Sequence, residues 1–234
     1  MKLVKLCETK KLHYGEYLYK LVLHNRLNNI FRTVNQKKGS LSYAKEKLDA
    51  YTEKLTQGQP LEEIIFRTTR EIPVEHFFDA KNLYKILKES KGYKIRVQPW
   101  STITIYSNNK ELLLKIADTM KVSAREFWEP DIKSLDLLLG ERNIIISETP
   151  VDLNYKVTFG KNPVNPDFAK WLRANTDKSK VGTITLETIE AGGYLDGLYF
   201  YIRDEKVLNL ISMLAGNNIR RIDKLVYKEN IDKY

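Results

Sequence analysis

The sequence predicts an α+β fold built from two successive βαββαβ units. Apolar residues alternate with polar ones in short segments, as in strands, and then recur every three to four residues, as in helices. Gly, Pro and Asn stand where the two periods change. The order strand, helix, strand, strand, helix, strand occurs twice along residues 61–234. With 234 residues and 42% hydrophobic content, the chain is long enough to bury a core in each unit.

The changes of period are clearest in the second unit. Residues 154–160 alternate as a strand, and Asn165-Pro166-Asp167 is typical of a helix start, with an Asn cap followed by Pro at the first helical position. The further elements predicted here are strands at 181–190, 195–203 and 219–227 and a helix that begins at Asp204 and ends at Gly216.

The preceding residues repeat this order. The predicted elements are strands at 62–70, 93–98, 101–106 and 123–129 and helices at 77–89 and 109–120. At an offset of 95 positions, Tyr106 falls on Tyr201 and Phe127 on Ile222, which suits an old duplication. We therefore predict two tandem ferredoxin-like units, the first at 61–133 and the second at 134–234, the latter including a linker with a short strand at 143–147.

Residues 1–60 are predicted to lie outside both units as a basic extension. They contain a strand at 17–24, a polar basic loop at 24–39 and a helix at about 40–56 with an apolar face. The extension carries 12 basic and 5 acidic side chains, in a chain with a net charge of +9. Such clustering is typical of a protein with an anionic partner, although a lysine-rich surface kept for solubility gives a similar total.

Composition argues against several classes of protein. A single cysteine, Cys7, excludes an intramolecular disulfide and fits a reducing cytoplasm. The sequence has no signal-peptide core and no apolar run of membrane-spanning length. It also has no P-loop, no nucleophile elbow and no Cys or His spacing for zinc, so we expect no cofactor and no metal. A binding role is therefore favoured over an enzymatic one.

Aromatic and basic residues on predicted sheet faces are the first candidate binding site. Alternation places Arg96 and Trp100 on one face of residues 95–106, and places Tyr199, Tyr201 and Arg203 on one face of residues 197–203. Rings and guanidinium groups stack on nucleobases and contact phosphates. The same rings could instead pack between the two units, whereas Trp128 and Trp171 are interpreted as core residues.

The basic segment supplies the second group of candidates. These residues combine cationic side chains for phosphate with amides able to contact base edges, or else form a solvated loop. The cations are Lys10, Lys11, Arg26, Arg32, Lys37 and Lys38.

Two stretches carry a resemblance to known proteins. Residues 19–32 and Glu126-Phe-Trp-Glu-Pro-Asp131 resemble segments of uncharacterised tailed-bacteriophage proteins. The resemblance implies an infected bacterial cytoplasm or a virion. The two-unit architecture is similar to tandem ferredoxin-like RNA-binding proteins and to CRISPR repeat-processing endoribonucleases of the Cas-six type, but this sequence lacks their Gly-rich loop near the C-terminus.

Three functions remain open at this point. The leading hypothesis is a non-catalytic protein that binds single-stranded nucleic acid, with RNA slightly favoured over DNA. The second is a virion or host-interaction component whose basic segment docks an acidic protein surface. The third is a metal-independent endoribonuclease in which His24 acts as general base.

Overall fold

Two units, each with its own sheet, make up the computed structural model, which describes residues 4–32, 40–65, 68–120, 122–150 and 152–233. Unit 1 takes in the chain up to Thr9 and then Glu16–Pro130. Unit 2 takes in Lys10–Gly15 and everything from Asp131 onward. Helices and strands alternate in both units, which confirms the predicted α+β class.

Unit 1 is built around a five-stranded sheet. The strands of unit 1, including two outside this sheet, are β1 (Lys5–Glu8), β2 (Tyr19–His24), β3 (Glu62–Ile65), β4 (Thr68–Glu71), β5 (Tyr93–Gln98), β6 (Thr102–Ser107) and β7 (Ala124–Glu129). Its helices are α1 (Ser40–Thr56), α2 (Val74–Glu89) and α3 (Lys110–Thr119), with a short 3-10 helix at Asn28–Phe31. The sheet order is β1-β7-β2-β6-β5, in which β1 is parallel to β7 and the other neighbours are antiparallel, while β3 and β4 form a separate hairpin.

The core of unit 1 lies between one face of this sheet and its helices. Alternation along β2 buries Leu21 and Leu23 completely, and these residues pack with apolar side chains from α2 and α3. Helix α1 adds Ala44 and Leu48 to the same core, with Leu55 partly buried beside them. The apolar face predicted for this helix is therefore confirmed.

Unit 2 is built around a second five-stranded sheet. Its strands are β8 (Ile144–Ser147), β9 (Tyr155–Phe159), β10 (Ser179–Val181), β11 (Tyr199–Ile202) and β12 (Ile219–Tyr227). Its helices are α4 (Ile132–Gly140), α5 (Asp167–Ala174), α6 (Thr183–Glu190) and α7 (Glu205–Leu214), followed by a 3-10 helix at Lys228–Lys233. The sheet order is β10-β11-β9-β12-β8, again with a parallel pair at one edge, β8 with β12.

The two sheets share one connectivity. In each, a leading strand lies parallel to the last strand, and the last strand pairs with the strand that follows the leading one, β2 or β9. Unit 2 also has α6 between β10 and β11, where unit 1 has a direct turn between β5 and β6. Helices α3 and α7 also begin alike, because the side chains of Asn109 and Asp204, 95 positions apart, accept hydrogen bonds from the backbone N–H groups of Leu112 and Val207. This common plan is what an internal duplication would leave.

The first unit differs from its predicted form in its first strand. The sequence predicts that strand at 62–70 and places residues 1–60 outside both units. Instead β2 is the central strand of the sheet and pairs with both β6 and β7, and the predicted strand is divided into the hairpin β3–β4. Residues 25–73, with α1 and the hairpin, are thus an insertion between β2 and α2.

The strand predicted at 181–190 is wrong. Only its first residue is in a strand, since β10 ends at Val181, and after Gly182 the residues Thr183–Glu190 form α6. Thr and Ile alternate here, which is typical of a strand, but the helical spacing of four residues places Thr185 and Ile189 together in the buried side of the unit. Packing on the core decides the outcome against local propensity.

Candidate nucleic-acid interface

Alternation along β11 produces an aromatic face. Phe200 and Ile202 are fully buried in the core of unit 2. Tyr199 and Tyr201 therefore point to the opposite face of the sheet, where the Tyr199 side chain is 42% exposed and Tyr201 is half-buried. Their ring centroids are 5.6 Å apart at 78°, an edge-to-face pair that holds both rings in place.

Lysines flank these rings on the neighbouring strands. The register sets Lys180 of β10 and Lys156 of β9 on either side of Tyr201. The ammonium nitrogen of Lys156 lies 3.7 Å from the ring centroid of Tyr199 and 6.0 Å from that of Tyr201. Burial and the neighbouring Tyr199 raise the pKa of Tyr201, so this phenol is neutral near pH 7.

Cavities in unit 2 adjoin this tyrosine pair. Three adjoining cavities of about 550, 630 and 570 Å³ share Lys180, and we call them together the tyrosine groove. The charged and aromatic residues considered below, all in its lining, are Lys10, Lys180, Tyr199, Tyr201 and Arg203. The structure thus brings four of the sequence-predicted site residues together and adds Lys180.

Charge varies along the tyrosine groove. Around Tyr199 and Tyr201 the lining is otherwise apolar or hydroxylic, and Lys180 is the charged lining residue there. The cavity that contains Arg203 is lined by Lys180 as well, together with the carboxylates of Asp152 and Asp177. Within the described ranges, neither Lys180 nor Arg203 forms an ion pair, and both side chains are exposed. The cavity at Tyr199 and Tyr201 therefore combines ring surface with a cation that forms no ion pair within the described ranges.

Lys10 and Lys11 have partners inside unit 2. Lys10 pairs with Glu148 at 2.6 Å on the surface. The Lys11 ammonium donates to Asp223 at 3.2 Å, and Asp223 is fully buried and also accepts from the guanidinium of Arg221 at 2.8 Å. Burial lowers the pKa of Lys11, an effect that Asp223 opposes. The charge of Lys11 is thus largely committed to the fold.

The remaining predicted residues of the described chain belong to unit 1. Arg26 donates to the backbone carbonyl of Glu71 at 2.9 Å, whereas Arg32 and Arg96 have exposed side chains. Trp100 is 89% exposed at the turn between β5 and β6. Lys37 and Lys38 lie outside the described residues.

Unit 1 contains a cross-strand row of lysine, tyrosine and lysine like that of Lys180, Tyr201 and Lys156, but its tyrosine is buried. Lys94, Tyr106 and Lys20 lie in register across β5, β6 and β2, and Lys20 places its ammonium 3.4 Å from the ring centroid of Trp128. Tyr106, however, is only 7% exposed. The row in unit 2 is therefore the one with accessible rings.

The two tryptophans interpreted as core residues differ. Trp171 packs against the core of unit 2, with its ring stacked on Phe168 at a centroid distance of 6.0 Å. Trp128 lies on the face of β7 opposite the buried Phe127 and donates its indole N–H to Glu126. It is half-buried and outside the core, because strand alternation assigns the core to Phe127.

The histidine proposed as a general base stands beside a second histidine. The ring centroids of His24 and His76 are 6.2 Å apart. His76 accepts the backbone N–H of Arg26 on Nδ1 at 3.0 Å, and burial, with His24 and Arg26 nearby, lowers its pKa. His76 is thus a neutral histidine engaged by the backbone, a structural use that the sequence pattern did not indicate.

Comparisons with known proteins supply no relative. No family model, curated protein or solved structure was found to match the chain. The resemblance to bacteriophage proteins and the ferredoxin-like assignment therefore stay predictions. Among the residues that the structure describes, no helix is long and apolar enough to cross a membrane, and no group of His, Cys, Asp or Glu side chains is placed to hold a metal ion.

Proposed function

We propose that the protein binds single-stranded nucleic acid in the tyrosine groove of unit 2. The observation that carries the proposal is the cross-strand placement of Tyr201 between Lys180 and Lys156, with the Tyr199 ring beside both Tyr201 and the Lys156 ammonium, on the face of the sheet away from the core. Unpaired bases stack on such rings, and phosphates that follow them need cations nearby.

The chemistry of the groove favours single strands over duplex. A tyrosine ring can accept a base only where that base is unstacked from its neighbours. The groove end at Tyr199 offers apolar and hydroxyl groups beside the rings, and Lys180 supplies the charge there. Binding should therefore have a stacking component that is independent of salt and a cationic component that weakens with salt.

Deletion of one ring tests this function. Tyr201→Leu keeps an apolar side chain of similar burial, so we expect the melting temperature to change little. Affinity for a single strand of about 12 nucleotides should fall about 5- to 150-fold, the equivalent of roughly 1–3 kcal/mol per stacked base. Fluorescence anisotropy with single-stranded RNA, single-stranded DNA and duplex measures the affinity.

Two matched variants control the experiment. Tyr201→Phe keeps the ring and should bind almost as the native protein does. Tyr194→Leu removes a tyrosine that is 64% exposed and outside the groove, and it should have no effect. An equal response to all three nucleic acids, or a lowered melting temperature with unchanged affinity in Tyr201→Leu, would contradict the proposal. Absence of any binding would favour docking to an acidic protein surface.

A further inference from the structure

The turn between β5 and β6 presents a tryptophan to solvent. Its residues are Pro99, Trp100 and Ser101, and the Trp100 side chain is 89% exposed. Tryptophan carries the largest apolar surface of any side chain and is mostly buried on average. Nearly complete exposure at the tip of a hairpin is therefore a feature that packing within unit 1 does not explain.

The backbone conformation at Trp100 is energetically unfavourable. Trp100 has a φ of +63° and Ser101 a φ of +62°, two consecutive left-handed residues with neither Gly nor Asn among them. The left-handed region is disfavoured for residues with a β-carbon, especially bulky ones. Strain of this kind persists where the surrounding structure imposes it, and it is concentrated at ligand-binding positions.

Hydrogen bonds from a neighbouring segment hold the turn in this strained conformation. The backbone N–H of Asn25, which is fully buried, donates to the carbonyl of Ser101 at 2.7 Å, and Ser101 itself is buried. The side-chain amide of Asn28 donates to the carbonyl of Gln98 at 2.8 Å. Two residues of the predicted basic loop thus hold the backbone of the turn on both sides of Trp100. A ligand that stacks on this ring therefore does not have to order the backbone that carries it.

Arginine residues lie on the strand that leads into the turn and on the segment that is hydrogen-bonded to it. Arg26 follows Asn25 in the bracing segment, and Arg96 is an exposed residue of β5, four positions before Trp100. Arg32 is exposed at the end of the 3-10 helix that carries Asn28. An exposed ring on a hairpin whose strand and supporting segment also carry arginines matches a base and its phosphates better than an apolar protein pocket.

We propose that Trp100 is a second stacking site, on unit 1, for an unpaired base of a single strand. This inference rests on the proposed function in taking single-stranded nucleic acid as the ligand. It adds a site on another unit, built on a rigid turn, whereas the tyrosine groove is built on a sheet face. Stacking on Trp100 involves no phosphate, so its contribution does not depend on salt.

The decisive variant is Trp100→Asn. Asn accepts the left-handed conformation, so the turn should persist and the melting temperature should be unchanged or raised, while the ring is lost. We expect the dissociation constant for single strands to rise about 5- to 150-fold, by the same factor at about 50 and about 200 mM salt. Trp100→Phe should retain most of the affinity.

Controls separate this site from the tyrosine groove. Phe78→Ala removes another exposed aromatic side chain of unit 1, on α2, and should not change affinity. Unchanged affinity in Trp100→Asn together with weakened binding in Tyr201→Leu would overturn the second site and leave the proposed function intact. The reverse result would uphold Trp100 and remove the groove. No binding of any oligonucleotide by the native protein would end both.

Discussion

Individual lysines of the basic N-terminal segment have different roles, and their partners distinguish them. Lys11 compensates the fully buried carboxylate of Asp223, whereas Lys10 forms a surface pair with Glu148. A buried carboxylate that loses a partner is costly, while an exposed pair contributes little. Sequence alone could not separate these two adjacent lysines, because Asp223 is more than 200 residues away.

Substitution of Lys11 should therefore lower stability without weakening nucleic-acid binding directly. Lys11→Met removes one of two cations on Asp223 and leaves Arg221, so we expect a loss of roughly 1–3 kcal/mol in the free energy of unfolding. Lys10→Met, the matched control, should cost about 0–1 kcal/mol. Urea unfolding compares the two variants. Equal stabilities would contradict this account, because they would show that the Lys11 pair contributes no more than the exposed Lys10 pair.

At the scale of elements, periodicity predicted most helices and failed where context dominates. Helices α1, α5 and α7 were predicted because each carries a clear apolar face or a cap signal. Helix α6 was missed because its Thr and Ile residues alternate like those of a strand. The central place of β2 was also missed, since pairing across the insertion at 25–73 leaves no local signal.

The same limit applies to the candidate site. Alternation along one strand was enough to place Tyr199 and Tyr201 on one face. Lys180 was not found, because it joins the tyrosines only through the pairing of β10 with β11. Residues within one element can be predicted from the pattern, whereas partners on neighbouring strands need the register.

The edge strand β10 gives a test of the cationic component. Lys180→Glu should weaken binding to all single-stranded sequences alike, because phosphate contacts carry no sequence information. The slope of log affinity against log salt should become shallower by roughly 0.7 for each phosphate that the protein no longer neutralises. Anisotropy at several salt concentrations measures this slope.

A charge-matched control lies on α7. Lys206→Glu makes the same change of charge on an exposed helix residue outside the tyrosine groove. It should leave the salt slope nearly unchanged. If both variants weakened binding equally, net charge and not the groove would account for affinity.

At the scale of the whole molecule, the two units share one sheet order but differ in the exposure of their tyrosines. Both units have the same strand connectivity and a lysine-tyrosine-lysine row across the sheet, but only unit 2 leaves its row accessible. The basic segment 1–60, predicted as one extension, is instead divided between the units, since Lys10–Gly15 belongs to unit 2. A net charge of +9 favours polyanions in general, so under the proposed function the placement of the rings must supply the specific contact.

Photo-crosslinking tests that placement most directly. A single-stranded oligonucleotide carrying iodouridine is irradiated with the native protein, and the crosslinked residues are located by mass spectrometry. If bases stack in the tyrosine groove, crosslinks should form at Tyr199 or Tyr201 and should disappear from position 201 in Tyr201→Leu. Crosslinks confined to residues outside the groove, with none at either tyrosine, would contradict the assignment of the binding site to unit 2.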